Sequence, residues 1–147
     1  MVLKNQNNYI KDVFIKMLLK KGKKTVAENL YNNILINLLK KTKQKPIFIL
    51  IKAIDNLSPT LKLINIPINK RKRRRRKKPY FLIFLNEEKQ IKNSINYMLF
   101  FSRKRKTNFL KNIINEIINT FNKKSKSIDK NKEIYNEINK LRYNIKY

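Results

Sequence analysis

Nine consecutive residues, Lys70, Arg71, Lys72, Arg73, Arg74, Arg75, Arg76, Lys77 and Lys78, follow one another without a neutral residue among them. Buried, each cation would need its own counter-charge, so the segment must project into solvent or lie against a polyanion. It marks a tip at which the chain turns. On its N-terminal side stands Leu61-Lys62-Leu63-Ile64-Asn65-Ile66-Pro67-Ile68, and on its C-terminal side Tyr80-Phe81-Leu82-Ile83-Phe84-Leu85. Both flanks have strand length and are rich in β-branched or aromatic residues, which predicts a β-hairpin arm over residues 61–85. Pro67 and Pro79 sit at the inner ends, where each removes a ladder donor and stops pairing from running into the tip. Taken alone, a Lys/Arg run suits a solvated or disordered segment, or a nuclear import signal, equally well. Its placement between matched strands favours an arm that carries charge towards nucleic acid.

The rest of the chain is basic too. Its 147 residues carry 37 Lys plus Arg against 9 Asp plus Glu, a formal net charge of +28 of which the cationic run supplies only part. Self-repulsion on that scale destabilises a compact free monomer, so the fold is expected to lean on a polyanionic partner, a nucleic acid. A hydrophobic content of 41% suffices for a core, and the length suits one domain, residues 1–147. Cysteine and histidine are both absent, which removes disulfides, thiolate metal sites and the commonest general base. Of the carboxylates Asp12, Glu28, Asp55, Glu87, Glu88, Glu116, Asp129, Glu133 and Glu137, only Glu87 and Glu88 adjoin, and they read as first-turn helix charges. No catalytic residue, metal ligand or cofactor site is therefore expected.

No apolar run approaches the roughly 20 residues of a membrane span. The N-terminal Met1-Val2-Leu3-Lys4-Asn5-Gln6-Asn7-Asn8 has neither the apolar region of a signal peptide nor the Arg/Ser character of a transit peptide. A protein of this kind that works in an organelle is expected to be made there. The dominance of Lys, Asn and Ile, with a single Gly and no Trp, points the same way, to a gene very rich in A and T.

Helical periodicity accounts for most of the remainder. Ile10, Val13, Phe14, Met17 and Leu18 predict an amphipathic helix over Tyr9–Lys20, ended by Gly22 in a left-handed conformation. Thr25-Val26-Ala27-Glu28 matches a capping box and should start a second helix running to about Lys41. Pro46 suits the first turn of a third helix, Ile47–Leu57, although the run Ile47-Phe48-Ile49-Leu50-Ile51 also fits a buried strand. After the arm, Asn86 is the expected cap of a fourth helix, with Glu87 and Glu88 at its positive end and Arg103, Lys104, Arg105 and Lys106 at its negative end. Thr107 or Asn108 should cap a fifth helix, whose stripe of Phe109, Leu110, Ile113, Ile114, Ile117, Ile118 and Phe121 marks it as a core element. Asn122–Lys130 reads as a mobile loop, and residues 131–147 as a last helix with a narrow stripe of Ile134, Ile138, Leu141 and Ile145. Its Tyr135, Tyr143 and Tyr147 are expected to serve packing more than base stacking. The sum is a mainly α protein: a six-helix, bundle-like domain with one protruding β-hairpin arm between helices three and four.

That order of elements, and three stretches within it, resemble the small-subunit ribosomal protein S-seven family of the bacterial type. Phe14 to Glu28, with Gly22-Lys23-Lys24-Thr25-Val26-Ala27-Glu28, is similar to the family signature in which an apolar helix ends in Gly-Lys-Lys, a hydroxyl residue, any residue and Ala-Glu. Ala53 to Leu63 resembles the helix end, Asn, apolar residue and Pro that lead into the family's hairpin. Glu137-Ile138-Asn139-Lys140-Leu141-Arg142-Tyr143 with the closing Ile145-Lys146-Tyr147 is similar to its Glu-Ala-Asn-Lys segment and aromatic end. Lys21 stands where bacterial members usually have Asp, the Gly-Gly of the hairpin is missing, the tip is more cationic, and the basic N-terminal tail is shortened. The resemblance implies a six-helix domain with a β-ribbon that binds the three-prime major (head) domain of small-subunit ribosomal RNA and nucleates head assembly. It also implies a hairpin near the exit-site transfer RNA and the messenger RNA path, neighbouring small-subunit proteins as partners, no membrane, and a monomer within the large ribonucleoprotein. Divergence together with the A/T-rich composition fits a mitochondrial gene, with a plastid-type organelle as the alternative.

Lys20, Lys21, Lys23 and Lys24, the run Lys70–Lys78, and Arg103, Lys104, Arg105 and Lys106 are expected to form one broad phosphate-binding face. Arginines would clamp phosphates bidentately and lysines act as point charges. Two other classes compete with an RNA-binding structural protein. An architectural DNA-binding protein would use the ribbon in the minor groove, and an RNA-processing enzyme would need clustered carboxylates for metal ions.

Overall fold

A computed structural model describes residues 2–65, 80–141 and 145–146. The cationic run Lys70–Lys78, with Pro67 and Pro79 at its ends, lies outside the described residues, as do Arg142, Tyr143 and Tyr147. Among the described residues the order is α1 (Val2–Leu18), α2 (Lys24–Thr42), α3 (Pro46–Leu57), β1 (Leu61–Asn65), β2 (Tyr80–Phe84), α4 (Glu87–Lys104), α5 (Phe109–Phe121), α6 (Lys126–Leu141) and β3 (Ile145–Lys146). The expected six helices with a hairpin between the third and fourth are all present.

Helix α5 organises the core, as its clean stripe predicts. Ile113, Ile114 and Ile117 are buried against α2, α3 and α4, and Asn108 caps its first turn by accepting from the Leu110 amide at 3.0 Å. Helix α3 settles the ambiguity of its apolar run. Ile49, Leu50, Ala53, Ile54 and Leu57 are buried while Ile47 and Phe48 are exposed, a helical and not an alternating pattern, and Pro46 occupies the first turn. Asn56 then donates from Nδ2 to the carbonyls of Thr120 and Phe121, at 3.3 and 3.1 Å, which satisfies the otherwise unpaired end of α5. Phe14, Ile34, Leu38, Ile95, Met98 and Leu99 complete a continuous core from α1, α2 and α4.

Three boundaries depart from the sequence reading. Helix α1 begins at Val2 and not at Tyr9, since nothing between them is a glycine or proline and Lys4 and Gln6 are good helix formers. The capping box at Thr25 is not formed. Helix α2 starts one residue earlier, with Lys23 at the cap and no side-chain bond to it, and Glu28 lies 3.7 Å from the Lys24 ammonium instead of reaching back to an amide. Asn86 likewise caps α4 with its backbone alone.

The expected loop over Asn122–Lys130 is mostly helix. The α5–α6 connection is short, Ser125 Oγ accepts from the Ile128 amide at 3.3 Å, and α6 begins at Lys126. That helix also stops at Leu141, so the expected helix to Tyr147 is not continuous. Ile145 and Lys146 form a short strand instead, parallel to β2 with Tyr80 opposite Ile145 and Phe81 opposite Lys146.

The hairpin itself is antiparallel, with Leu61 opposite Phe84 and Asn65 opposite Tyr80. Its base is tied down twice. The Leu85 amide donates to the Thr60 carbonyl at 2.9 Å, and the Thr60 amide donates to Tyr135 Oη of α6 at 2.9 Å, with the Thr60 hydroxyl 2.8 Å from the same oxygen. Tyr135 thus works as a structural anchor, in line with the packing role expected of it. Tyr135→Phe should cost about 1 kcal/mol and speed amide exchange at Leu85. Unchanged exchange there would mean that the base is held without the phenol.

Candidate nucleic-acid interface

The turn from α1 to α2 is built by two consecutive left-handed residues. Lys21 has φ +52° and Gly22 φ +74°, and the Lys23 amide closes the turn on the Lys20 carbonyl at 3.2 Å. A Cβ on Gly22 would meet nothing within 4 Å, so the backbone conformation, and not a lack of room, calls for glycine. The result is that Lys20, Lys21, Lys23 and Lys24 are all presented to solvent beside the N-terminus of α2.

The second basic cluster arrives from far along the chain. Arg103 closes α4, and its Nη2 donates to the Met17 carbonyl at 3.1 Å, which bonds the end of one helix to the end of another. Lys20, Lys21, Lys23 and Arg103 consequently line one open groove of about 560 Å³, together with Leu18, Val26, Ala27, Leu30 and Phe109. No acidic side chain is among them. Two of the three basic stretches singled out in the sequence thus meet on one surface. Lys104 and Lys106 are exposed beyond Arg103, Lys24 stands next to the groove in its exposed pair with Glu28, and the third stretch, Lys70–Lys78, lies outside the described residues.

Arg105 has a different surrounding. Its Nη2 lies 2.9 Å from Oε2 of Glu116, a carboxylate with no solvent exposure, and two-thirds of the Arg105 side chain is covered. Glu116 Oε1 accepts in turn from Ser127, from Oγ at 2.6 Å and from the amide at 3.4 Å. A buried carboxylate is tolerated only with such partners, so this guanidinium is committed first to the interior.

The corner that carries these cations is rigid for a second reason. Asn112 of α5 is buried, and its Nδ2 reaches the carbonyls of Ser102, Arg105 and Thr107 at 3.2, 3.4 and 3.1 Å, while its Oδ1 accepts from Thr107 Oγ1 at 2.6 Å. One side chain therefore fixes the backbone from the last turn of α4 to the first of α5. Neither Asn112 nor Glu116 is singled out by the sequence reading. The available signal is their spacing: Asn112, Glu116 and Thr120 follow one another at four-residue intervals along the flank of the apolar stripe, so they share its buried face.

Among the described residues no three His, Cys, Asp or Glu side chains converge on a possible metal position, and no helix is long and apolar enough to cross a membrane. The arrangement offers cations on a fixed scaffold, suited to holding phosphates.

Known proteins resemble the whole of this layout. The chain is 26% identical over 146 residues to the small ribosomal subunit protein uS7c of Bigelowiella natans, covering 95% of this chain and 88% of the relative. It is 27% identical over 125 residues to the small ribosomal subunit protein uS7 of Mycoplasma genitalium, covering 84% and 77% of the two chains. The uS7c protein of Euglena longa is 26% identical over 129 residues, covering 87% and 70%. The family described as ribosomal protein S7p/S5e matches residues 2–137, which takes in all six helices up to Glu137 and the arm between them, and the chain belongs to that family.

Proposed function

We propose that this protein is a structural component of the small ribosomal subunit that binds the three-prime major domain of its ribosomal RNA and nucleates assembly of the head. The observation that carries the reading is the meeting of Lys20, Lys21 and Lys23 with Arg103 on one acid-free groove, from segments that only the fold brings together. With Lys24, Lys104 and Lys106 beside it, the face offers cations enough to neutralise several phosphates. The run Lys70–Lys78, carried by an arm whose base is bonded to α6, would extend that contact towards the exit-site transfer RNA and the messenger RNA path. Arg105 would join it with the donors that Glu116 leaves free. Shape would dominate recognition, because the major groove of folded RNA is too deep and narrow for side chains to read. The role is architectural, with neighbouring small-subunit proteins on the remaining surfaces and one copy per particle.

We place the protein in an organelle ribosome, which the uS7c names of two relatives support. The A/T-rich composition is our reason for assigning it to a mitochondrion. Sedimentation of lysed, separated organelles tests both statements. The protein should travel with small subunits of the mitochondrial fraction and leave that position when magnesium is withdrawn and the subunits unfold. Migration with nucleoids and release by DNase would instead establish an architectural DNA-binding protein and end the ribosomal reading.

A further inference from the structure

Phosphate binding leaves part of the groove at the α1–α2 turn without a purpose. Lys20, Lys21, Lys23 and Arg103 make a cationic rim, but between them lie Val26, Leu30 and Phe109, and Val26 is 58% exposed. Apolar carbon contributes nothing to a phosphate, and leaving it in water is unfavourable. The space is also too large for an anion alone. At about 560 Å³ it falls within the range of roughly 300–1,000 Å³ typical of pockets that enclose a whole small molecule. The complementary shape is a planar apolar body with a negative charge at its edge.

We propose that this groove receives a single unpaired nucleotide of the bound RNA, splayed out of its stack, with its base on the Val26–Leu30–Phe109 floor and its phosphate on the lysine rim. The proposal rests on the RNA-binding reading above and adds a specific point of contact to it. Sequence-selective and junction-selective RNA binding commonly works on such unstacked bases, which lie against aromatic or apolar side chains. The floor offers no side-chain donor or acceptor, so the site selects for an unpaired base over a paired one and not for a particular letter. It converts a general attraction to RNA into a preference for a place where one nucleotide is free. Its walls are firm: the turn is fixed by two left-handed residues, and Arg103 is bonded to the Met17 carbonyl.

Val26→Phe tests this, because it fills the floor from an exposed position without changing charge. Binding of the full chain to a transcript of the three-prime major domain of small-subunit RNA would be measured by filter retention over a salt series. The variant should bind about 10-fold more weakly, with the dependence on salt unaltered, since no phosphate contact is lost. Ultraviolet crosslinking of the wild-type complex should place a nucleotide adduct on the peptide that contains Phe109. Should Val26→Phe lower the melting temperature, the wild-type crosslink decides alone. Wild-type affinity in a fully folded variant, or adducts that avoid both the Val26–Leu30 and Phe109 peptides, overturns the proposal while leaving RNA binding in place. If the wild-type chain shows no preference for the transcript over duplex DNA of equal length, the RNA reading itself fails and this proposal with it.

Discussion

Replacing Arg105 by alanine should destabilise the free protein by about 2–3 kcal/mol, below the roughly 3–5 kcal/mol of a fully enclosed ion pair because the arginine keeps a third of its side chain in water. For a chain of this length that is a fall of about 5–10 °C in melting temperature. The cause is the carboxylate left behind. Glu116 would keep its bonds to Ser127 but lose its cation in a place with no solvent. The double replacement Arg105→Met with Glu116→Leu should recover most of the loss, since apolar side chains of similar volume remove the need for compensation. Thermal unfolding of the two single variants and the double one gives the coupling directly. An Arg105→Ala protein as stable as the parent would show that Glu116 does not depend on this guanidinium.

The second large effect concerns binding. Changing Lys20, Lys21, Lys23 and Arg103 together to glutamine should weaken binding to the three-prime major domain transcript by roughly 10³-fold at 0.1 M salt, taking a slope of about 0.7–0.9 per phosphate contact. The plot of log affinity against log salt should flatten by about 3 at the same time. Glutamine keeps side-chain length and leaves the helices undisturbed, so the melting temperature should hardly move. The arm remains intact in this variant, so weak, salt-sensitive binding should persist. A slope equal to that of the parent would mean that the groove rim does not face RNA, whatever the arm does.

Much of this layout is legible in the residues. The stripe of α5, the proline that opens α3 and the strand-like flanks of the cationic run each depend on neighbours close in sequence, and each appears where expected. What escapes is decided by partners far away. Ser125 and Ser127 look like loop residues within the polar segment 122–130, yet both are buried, and Ser127 is held by a carboxylate eleven residues before it. Ile145 fits the periodicity of a helix as well as it fits a strand, and only the edge of β2 chooses between them. The capping box failed for a local reason, since Lys24 is as good a first helical residue as Thr25 and the lysine pair at Glu28 competes for the same carboxylate. For the candidate site, the lysine and arginine clusters could be named from composition, but not that one arginine points outward to a groove while its neighbour but one is drawn inward.

The left-handed positions of the backbone have a consequence at the level of the gene. Besides Gly22, three residues adopt positive φ, and all three are lysines: Lys21 at +52°, Lys43 at +54° and Lys123 at +58°. A side chain there costs about 1–2 kcal/mol relative to glycine. Glycine codons begin with two guanines, whereas lysine can be written with adenine alone. A coding sequence starved of G and C would therefore place lysine where the backbone asks for glycine, and mutational bias would be recorded as strain in three turns. The cost is bearable if the fold is stabilised from outside by its partner, and the single glycine that persists stands in the turn that shapes the groove.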